Sequence, residues 1–321
     1  MTHVKFAFQH PTGPTIEQLH EQYGLTPDEE RQVLVARNTL TSAIRDPHTD
    51  LIDIIGPCSM SAESASAGDN AGVTVYRIPH WKPRSRAGDW NGLETTEPEK
   101  AFRIMADEAR REANVATELG HPDHLERYRG FPTFGWLGSR AISASADEEL
   151  SPGVTVGDLL DAAISHDPSL PLGVKNGIDG SIDGALAYVD RVNRERSPQD
   201  APAVLIFRGG ANLTTPDLWR AAVREAHART GGRVFVDVAH GSEMAFDPNR
   251  AFGKSEAGQR AALEALIALA DQEGISPIGV MVEASNVRSL TDPVLSMQVA
   301  LDGVNRLTLA RRKQILASSR V

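Results

Sequence analysis

The sequence predicts an α/β fold, a (β/α)8 TIM barrel with an extra N-terminal helix, on the basis of three observations. Short apolar runs recur along the 321 residues, and each ends in glycine or a polar residue, which is typical of buried parallel strands. Segments with helical periodicity separate the runs, and this alternation indicates a parallel sheet. Charged side chains and the single cysteine follow the runs directly, and such barrels keep their active sites at those strand ends.

The predicted elements form one barrel domain over residues 26–321, and residues 1–25 form an N-terminal arm outside the core. Thr26 caps the extra helix, which has Pro27 in its first turn and ends near residue 44. The strands are predicted at 51–55, 73–79, 114–119, 134–138, 172–175, 204–207, 234–238 and 278–282. The later helices are predicted at 97–112, 156–164, 183–193, 215–229, 258–272 and 292–309, and residues 61–69 form a helix or a loop.

Composition excludes several classes of protein. The formal net charge of -10 argues against a nucleic-acid partner. One cysteine excludes an internal disulfide framework. No apolar stretch reaches membrane-spanning length, and no signal-peptide core is present at the N-terminus, so we expect a cytoplasmic protein without a membrane partner.

Four possible metal ligands, far apart in the sequence, converge at one rim if the barrel prediction holds. They are Cys58, His240, Glu283 and Asp292. A mixed set of thiolate, imidazole and carboxylate suits a divalent ion such as Mn, Fe, Co or Zn. The alternative for each residue alone is a buried free cysteine or a scattered polar side chain. The shared strand-end location favours the metal site.

Six cations also fall at or near predicted strand ends, and they are Arg77, Lys82, Arg84, Arg140, Lys175 and Arg208. Buried Lys and Arg need anionic partners, so the group predicts a site for phosphates and carboxylates. Internal ion pairs with Asp53, Asp179 or Asp237 are the alternative. Gly209-Gly210 and Asn176-Gly177 would let backbone amides approach a ligand closely.

Two covalent mechanisms remain as alternatives. Cys58 could act as a thiolate with His240 as its base. Lys175 could form a Schiff base in a barrel of another reaction class. The sequence has neither a P-loop nor a dinucleotide fingerprint, which argues against ATP and NAD as ligands.

Six motifs in order resemble one enzyme family over residues 26–309. They are Gly56-Pro57-Cys58-Ser59, Lys82-Pro83-Arg84-Ser85, Lys175-Asn176-Gly177-Ile178-Asp179-Gly180, Arg208-Gly209-Gly210, Asp237-Val238-Ala239-His240 and Gly279-Val280-Met281-Val282-Glu283. This order is similar to that of the type I 3-deoxy-D-arabino-heptulosonate 7-phosphate (DAHP) synthases. The segment 116–119 also resembles the family's third strand.

The resemblance implies a metal-dependent transferase of the shikimate pathway. The family condenses phosphoenolpyruvate (PEP) with erythrose 4-phosphate, the first step toward aromatic amino acids, and its members are oligomers. We therefore expect a homodimer or homotetramer. The resemblance implies that the four metal candidates named above are ligands. The implied PEP-binding residues are Arg77, Lys82, Arg140, Lys175 and Arg208.

The resemblance is less complete in the segments that, in the family, bind the acceptor aldehyde. Arg84 and Ser85 match the family's tetrose-phosphate motif Lys-Pro-Arg-Thr, with Ser for Thr. Residues 88–92 contain an extra residue and lack a family lysine, and residues 141–144 lack the family's hydroxyls and acid. The implied catalytic set is Cys58 with Lys82 and His240, either of which could move protons. Condensation of PEP with a different aldehyde and a non-catalytic metabolite-binding barrel are the alternatives.

Overall fold

The structure is a computed structural model that describes residues 14–56, 75–77, 98–112, 114–138, 149–151, 153–247, 255–284 and 295–318. Ten strands occur in these ranges. Eight of them form the barrel: β1 Ile52–Gly56, β2 Val75–Arg77, β3 Val115–Leu119, β4 Phe134–Leu137, β7 Leu172–Lys175, β8 Ala203–Phe207, β9 Val234–Asp237 and β10 Gly279–Glu283. The other two, β5 Glu149–Ser151 and β6 Val154–Thr155, form a small antiparallel pair that the sequence did not predict.

The eight barrel strands are all parallel, and the sheet closes on itself. Neighbouring strands follow the chain from β1 to β4 and from β7 to β10, β4 pairs with β7, and β10 pairs with β1. The register of the closing pair places Gly56 beside Glu283. The predicted (β/α)8 barrel is therefore confirmed, with each strand close to its expected position.

Helices precede β1, lie between later strands and follow β10. They are α1 Ile16–Tyr23, α2 Pro27–Arg45, α3 Pro98–Glu112, α4 Pro122–Arg127, α5 Val156–Ser165, α6 Asp183–Glu195, α7 Pro216–Arg229, α8 Ser242–Phe246, α9 Glu256–Glu273 and α10 Met297–Ser318. The short helices α4 and α8 were not predicted, and residues 61–69 lie outside the described ranges. None of the helices described has both the length and the apolar character needed to cross a membrane.

Helix α10 differs from its predicted position at both ends. It was expected at 292–309, but it begins at Met297 and continues to Ser318. Leu295 instead pairs with Ala284 in a parallel bridge, and its N–H donates to the carbonyl of Glu283 at 3.1 Å. This strand-like pairing delays the start of the helix, because a residue cannot hold extended and helical backbone angles together.

The residues before Thr26 are not simply an arm. Thr15 and Gln18 form a reciprocal capping box that starts α1, and Leu19 of that helix is 3% exposed. Leu19 packs in a cluster with Phe102 of α3 and Phe131. Two helices rather than one therefore precede the first strand within the described residues, and the expectation that residues 14–25 lie outside the core is wrong.

Local capping explains where the main helices begin. Thr26 N donates to Glu29 Oε2 at 2.7 Å, and Glu29 N donates back to Thr26 Oγ1. Thr155 and Asp158 repeat this box at the start of α5. Each box satisfies backbone N–H groups that have no partner in the first helical turn.

Aromatic side chains fill the barrel interior near the starts of the strands because two glycines leave space for them. Phe134 and Phe235 stack with ring centroids 5.4 Å apart. A Cβ on Gly173 would lie 3.0 Å from Phe134 Cζ, and a Cβ on Gly279 would lie 2.2 Å from Phe235 Cε1. These positions admit no larger residue without repacking of the interior.

Helix α2 covers the amino-terminal end of the barrel. Its Leu40 and Ile44 share a buried cluster with residues at the starts of barrel strands, including Phe134 and Phe235. Arg37, on the same helix, is 4% exposed and lies 2.9 Å from Asp167 Oδ2. Its Nε also donates to the carbonyl of Pro132 at 2.8 Å.

Two further buried arginines hold loops at the same end. Arg196 donates to the carbonyls of Leu170 and Ala201, which precede β7 and β8. Burial lowers the pKa of Arg196 to about 10. Arg311 donates to the carbonyls of Thr49 and Pro277, which precede β1 and β10. The amino-terminal end is thus built for stability, which leaves the opposite rim for chemistry.

Candidate active site

Four neighbouring strands carry charged side chains to the carboxyl-terminal rim of the barrel. Strands β7, β8, β9 and β10 are parallel neighbours, so their carboxyl ends lie together. Lys175, Asp237 and Glu283 are the last residues of β7, β9 and β10. Arg208 directly follows β8. Positions more than one hundred residues apart in the sequence therefore meet at one edge.

A buried carboxylate at this rim joins a lysine to a histidine. Asp237 Oδ2 lies 2.6 Å from Lys175 Nζ and 2.7 Å from His240 Nδ1. Asp237 Oδ1 accepts from the N–H groups of Ala239, at 2.9 Å, and His240, at 3.1 Å. Asp237 is fully buried and Lys175 is 3% exposed, so little water screens their attraction. The ion pair with Asp237, one alternative interpretation of the cations, is confirmed for Lys175.

The same histidine contacts a second carboxylate. His240 Nε2 lies 3.1 Å from Glu283 Oε1, and Glu283 is fully buried. Since Nδ1 is turned toward Asp237, Nε2 is the ring nitrogen directed toward Glu283. Two of the four residues predicted as metal ligands are therefore adjacent.

The His240–Glu283 pair has the donor chemistry of a divalent transition-metal site. Imidazole nitrogen and carboxylate oxygen bind such ions at about 2.0–2.2 Å, and two ligands of one ion at these lengths lie about 3 Å apart. Asp237 supplies the outer carboxylate that metal-binding histidines usually have on the other ring nitrogen. No group of three His, Cys, Asp or Glu residues able to hold a metal occurs within the described ranges. Cys58 and Asp292 fall outside those ranges.

An indole ring lies beneath the lysine. Trp136 of β4 is fully buried among the residues that fill the barrel interior. Its ring centroid is 5.4 Å from Lys175 Nζ, within the range of a cation–π contact. The sequence identified Lys175 but not Trp136, because an apolar residue within a strand gives no sign of which charged group it will contact.

A buried asparagine joins the loops that follow β7 and β8. Asn176 Oδ1 accepts from the N–H of Arg208 at 2.6 Å, and its Nδ2 donates to the carbonyl of Gly209 at 3.1 Å. The loops approach so closely that a Cβ on Gly210 would lie 2.1 Å from the nitrogen of Gly180. Glycine at 210 is therefore needed for loop packing. These contacts fix the backbone of Arg208 beside β7.

A helix outside the barrel supports the end of β10. Gln259 of α9 is fully buried, and its Oε1 accepts from the N–H of Glu283 at 3.2 Å. Strand β9 ends at Asp237, whose register partner is Met281, so Glu283 extends past that neighbour. The amide of Gln259 replaces the missing strand partner. No local pattern in the sequence predicts this contact.

The predicted site residues divide into three groups. Lys175, Arg208, His240 and Glu283 are described and lie at the rim as expected. Arg77 ends β2 beside Ala116 of β3, and its side chain lies outside the description. The remaining six lie outside the described ranges and are Cys58, Lys82, Arg84, Ser85, Arg140 and Asp292.

Known proteins resemble the chain in both sequence and fold. No family model matches the sequence. A phospho-2-dehydro-3-deoxyheptonate aldolase of Corynebacterium glutamicum is 23% identical over 262 residues, which span 67% of this chain and 65% of that protein. The Tyr-sensitive enzyme of the same name from Escherichia coli is 24% identical over 317 residues, which span 84% of this chain and 81% of that protein.

One solved structure has a fold similar to that of this chain. The phospho-2-dehydro-3-deoxyheptonate aldolase of Francisella tularensis superposes with a TM-score of 0.68 over 94% of this chain and 99% of that chain, at 17% identity. The fold and rim define this protein as a parallel (β/α)8 barrel with a polar strand-end site. Within that class, the curated matches are DAHP synthases, which carry the aldolase name given above, and the chain is similar to them in sequence.

Proposed function

We propose that the protein condenses PEP with an aldose phosphate, forming a 3-deoxy-heptulosonate phosphate and releasing inorganic phosphate. The observation that carries the proposal is the connected rim of Lys175, Asp237, His240 and Glu283 in a relative of the DAHP synthases. With erythrose 4-phosphate as acceptor the product is DAHP, and the reaction is the first step of the shikimate pathway.

The cations hold the anionic groups of PEP. An ammonium has three donors, so Lys175 can keep its bond to Asp237 and still donate to a phosphate or carboxylate oxygen. Arg208 supplies a planar fork from the next strand. Arg77, Lys82 and Arg140 complete the proposed PEP site. Binding at several points orients PEP C3 toward the acceptor aldehyde.

A divalent ion, Mn, Fe, Co or Zn, is the proposed cofactor. His240 and Glu283 would hold it, with Cys58 and Asp292 as the other ligands. When bound, such an ion supplies Lewis-acid polarisation of the acceptor carbonyl. Glu283 keeps its position through Gln259, and His240 keeps its ring orientation through Asp237.

The bond changes balance when one water molecule reacts together with PEP and the aldehyde. PEP C3 forms a carbon–carbon bond to the aldehyde carbon, and water adds to C2. The resulting hemiketal phosphate loses inorganic phosphate and leaves a ketone at C2. Lys82 or His240 moves the protons in this sequence, and Cys58 completes the catalytic set.

Erythrose 4-phosphate is the acceptor we favour over any other single aldehyde, because Arg84 and Ser85 match the tetrose-phosphate motif. The altered segments 86–91 and 141–146 favour a weaker affinity for it or a preference for another aldose. Each lost charge-assisted contact weakens binding by about 1.5–3 kcal/mol. A Michaelis constant for erythrose 4-phosphate in the micromolar range, with normal turnover, would contradict this part of the proposal.

A Schiff-base aldolase acting through Lys175 is the second candidate. Schiff-base formation needs a neutral amine, whereas Lys175 Nζ lies 2.6 Å from a buried carboxylate, an arrangement suited to an ammonium. Treatment with EDTA separates the two reactions. The proposed condensation stops and returns when metal is restored, whereas a Schiff-base enzyme keeps its activity and is trapped by borohydride.

Phosphate release is the direct test of the proposed function. Purified protein is incubated with PEP, a divalent metal and a panel of aldoses and aldose phosphates, and inorganic phosphate is measured. Release that requires both PEP and an aldehyde supports the proposal. The matched controls are Glu283→Gln, expected to be inactive, and Glu264→Gln, which changes an exposed acid paired with Arg306 and is expected to be active. PEP binding without phosphate release from any acceptor would favour a non-catalytic metabolite-binding barrel.

A further inference from the structure

We propose that Asp237 is a positioning residue that holds the substrate-binding cation Lys175 and the imidazole of His240 on one carboxylate. This inference rests on the proposed function and adds a role that the sequence motifs did not assign. Asp237 itself need not touch substrate or metal, because it acts through its two partners.

The geometry supports a shared anchor rather than two separate contacts. One oxygen, Oδ2, receives both Lys175 Nζ at 2.6 Å and His240 Nδ1 at 2.7 Å. The other oxygen, Oδ1, accepts two backbone N–H groups from the turn that leads to His240. The turn fixes the carboxylate, and the carboxylate then fixes both side chains.

The contacts also show why a carboxylate is needed at this position. The four groups that the structure describes against Asp237 are all donors: one ammonium, one ring N–H and two backbone N–H groups. An asparagine would have to direct its NH2 group toward two of them in either orientation of the amide. Asp237→Asn therefore removes a charge and also introduces a clash between donors.

The consequence is that the two halves of the site depend on each other. Lys175 serves the anionic substrate, and His240 faces Glu283 in the proposed metal site. Loss of the Asp237 carboxylate releases the lysine and allows the ring of His240 to turn or to change tautomer. One substitution should therefore weaken both PEP binding and metal binding, although the residue contacts neither ligand.

The test compares Asp237→Asn with Asp167→Asn. Asp167 is also a buried acid with a cationic partner, Arg37, but it lies at the opposite end of the barrel. PEP affinity is measured by calorimetry, and zinc affinity by competition with a chromophoric chelator. We expect Asp237→Asn to raise the PEP dissociation constant about tenfold or more and to weaken zinc binding by about 10–100-fold. Asp167→Asn should leave both affinities unchanged.

Kinetics separate positioning from a general loss of folded protein. A merely structural defect lowers kcat by reducing the active fraction and leaves the KM for PEP unchanged, whereas displacement of Lys175 raises that KM. In the double variant Lys175→Met/Asp237→Asn, PEP affinity should be no weaker than in Lys175→Met alone. If the loss of PEP affinity in the double variant instead equals the product of the losses in the two single variants, the inference is overturned.

The outcomes distinguish this inference from the proposed function. Wild-type phosphate release together with wild-type PEP and zinc affinities in Asp237→Asn would overturn the positioning role alone. A wild-type protein that neither binds PEP nor releases phosphate would overturn the proposed function, and the zinc measurement would still test the link from Asp237 to His240. If Asp237→Asn fails to fold, Asp237→Glu keeps the charge and moves the carboxylate by one methylene. It should still raise the PEP dissociation constant, whereas Asp167→Glu should not.

Discussion

Removal of the buried Arg37 guanidinium should destabilise the whole barrel. Arg37→Met keeps an apolar stem but breaks the contacts to Asp167, Ser169 and the carbonyl of Pro132. Asp167, only 8% exposed, then loses its cation inside the protein. Breaking a buried pair from one side costs about 3–5 kcal/mol. With an unfolding entropy of about 2.1 cal/mol/K per residue, a chain of 321 residues should lose about 4–7 °C in Tm.

Calorimetry or circular dichroism measures this shift. The matched control is Arg312→Met, because Arg312 pairs with Asp50 on the surface and both side chains are more than half exposed. Exposed pairs contribute about 0–1 kcal/mol, so its Tm should fall by no more than about 1.5 °C. The double variant Arg37→Met/Asp167→Asn should recover part of the loss, since the buried charge is gone. An Arg37→Met variant that melts with the wild type would refute the view that α2 is held to the barrel by this pair.

Four further predictions address the site, the pH response and the assembly. Cys58→Ala should bind much less transition metal than the wild type when metal content is measured after dialysis, and unchanged content would remove Cys58 from the ligand set. Arg208→Met should weaken PEP binding about tenfold to a hundredfold. Arg220→Met, which removes an exposed ion pair with Asp217, should not weaken it. If calorimetry gives the two variants the same affinity for PEP, the prediction is contradicted. Burial and the Arg311 guanidinium lower the pKa of His227 in the folded protein. As the pH falls, the histidine of the unfolded chain therefore takes up a proton before that of the folded chain. The contribution of neutral His227 to folding stability is complete above about pH 6.5 and is lost as the pH falls below that value. The fall in Tm between pH 7.5 and 5.5 should therefore be smaller in His227→Gln, and an unchanged fall would contradict it. Light scattering should give a dimer or tetramer at working concentration, and a monomer would be the contrary result.

The sequence predicted the barrel because its strands are recognisable one at a time. Each is a short apolar run with a clear end, and parallel order then places all the ends at one rim. Pairings that depend on distant residues could not be predicted in this way. Leu295 pairs with Ala284, so the cap-like Asp292-Pro293 does not mark the observed start of α10.

The expectation of an irregular N-terminal arm is also wrong, although the sequence there contains a local signal for a helix start. Thr15 and Gln18 have the spacing of a capping box, but the proline and glycine around them favoured an irregular arm. Only the burial of Leu19 against α3 shows why a helix of eight residues is stable there.

The site was predictable as a set of residue types but not as a set of contacts. Lys175, His240 and Glu283 follow apolar runs and could be identified from that position. The sequence offered Asp237 only as one of three possible ion-pair partners, and the choice among them depends on strand register. Gln259 reaches Glu283 from a helix outside the sheet, and Trp136 underlies Lys175 from within a strand. The first contact joins a helix to a strand end and the second joins two neighbouring strands, and no local pattern encodes either one.

The most direct test of the central claim is phosphate release from PEP by the metal-loaded protein, with and without an aldose phosphate, in wild type and Glu283→Gln. We predict release that requires both substrates, stops with EDTA, returns with added metal and is lost in Glu283→Gln. No phosphate release with any aldehyde, or equal release by Glu283→Gln, would contradict the assignment of condensation to this rim.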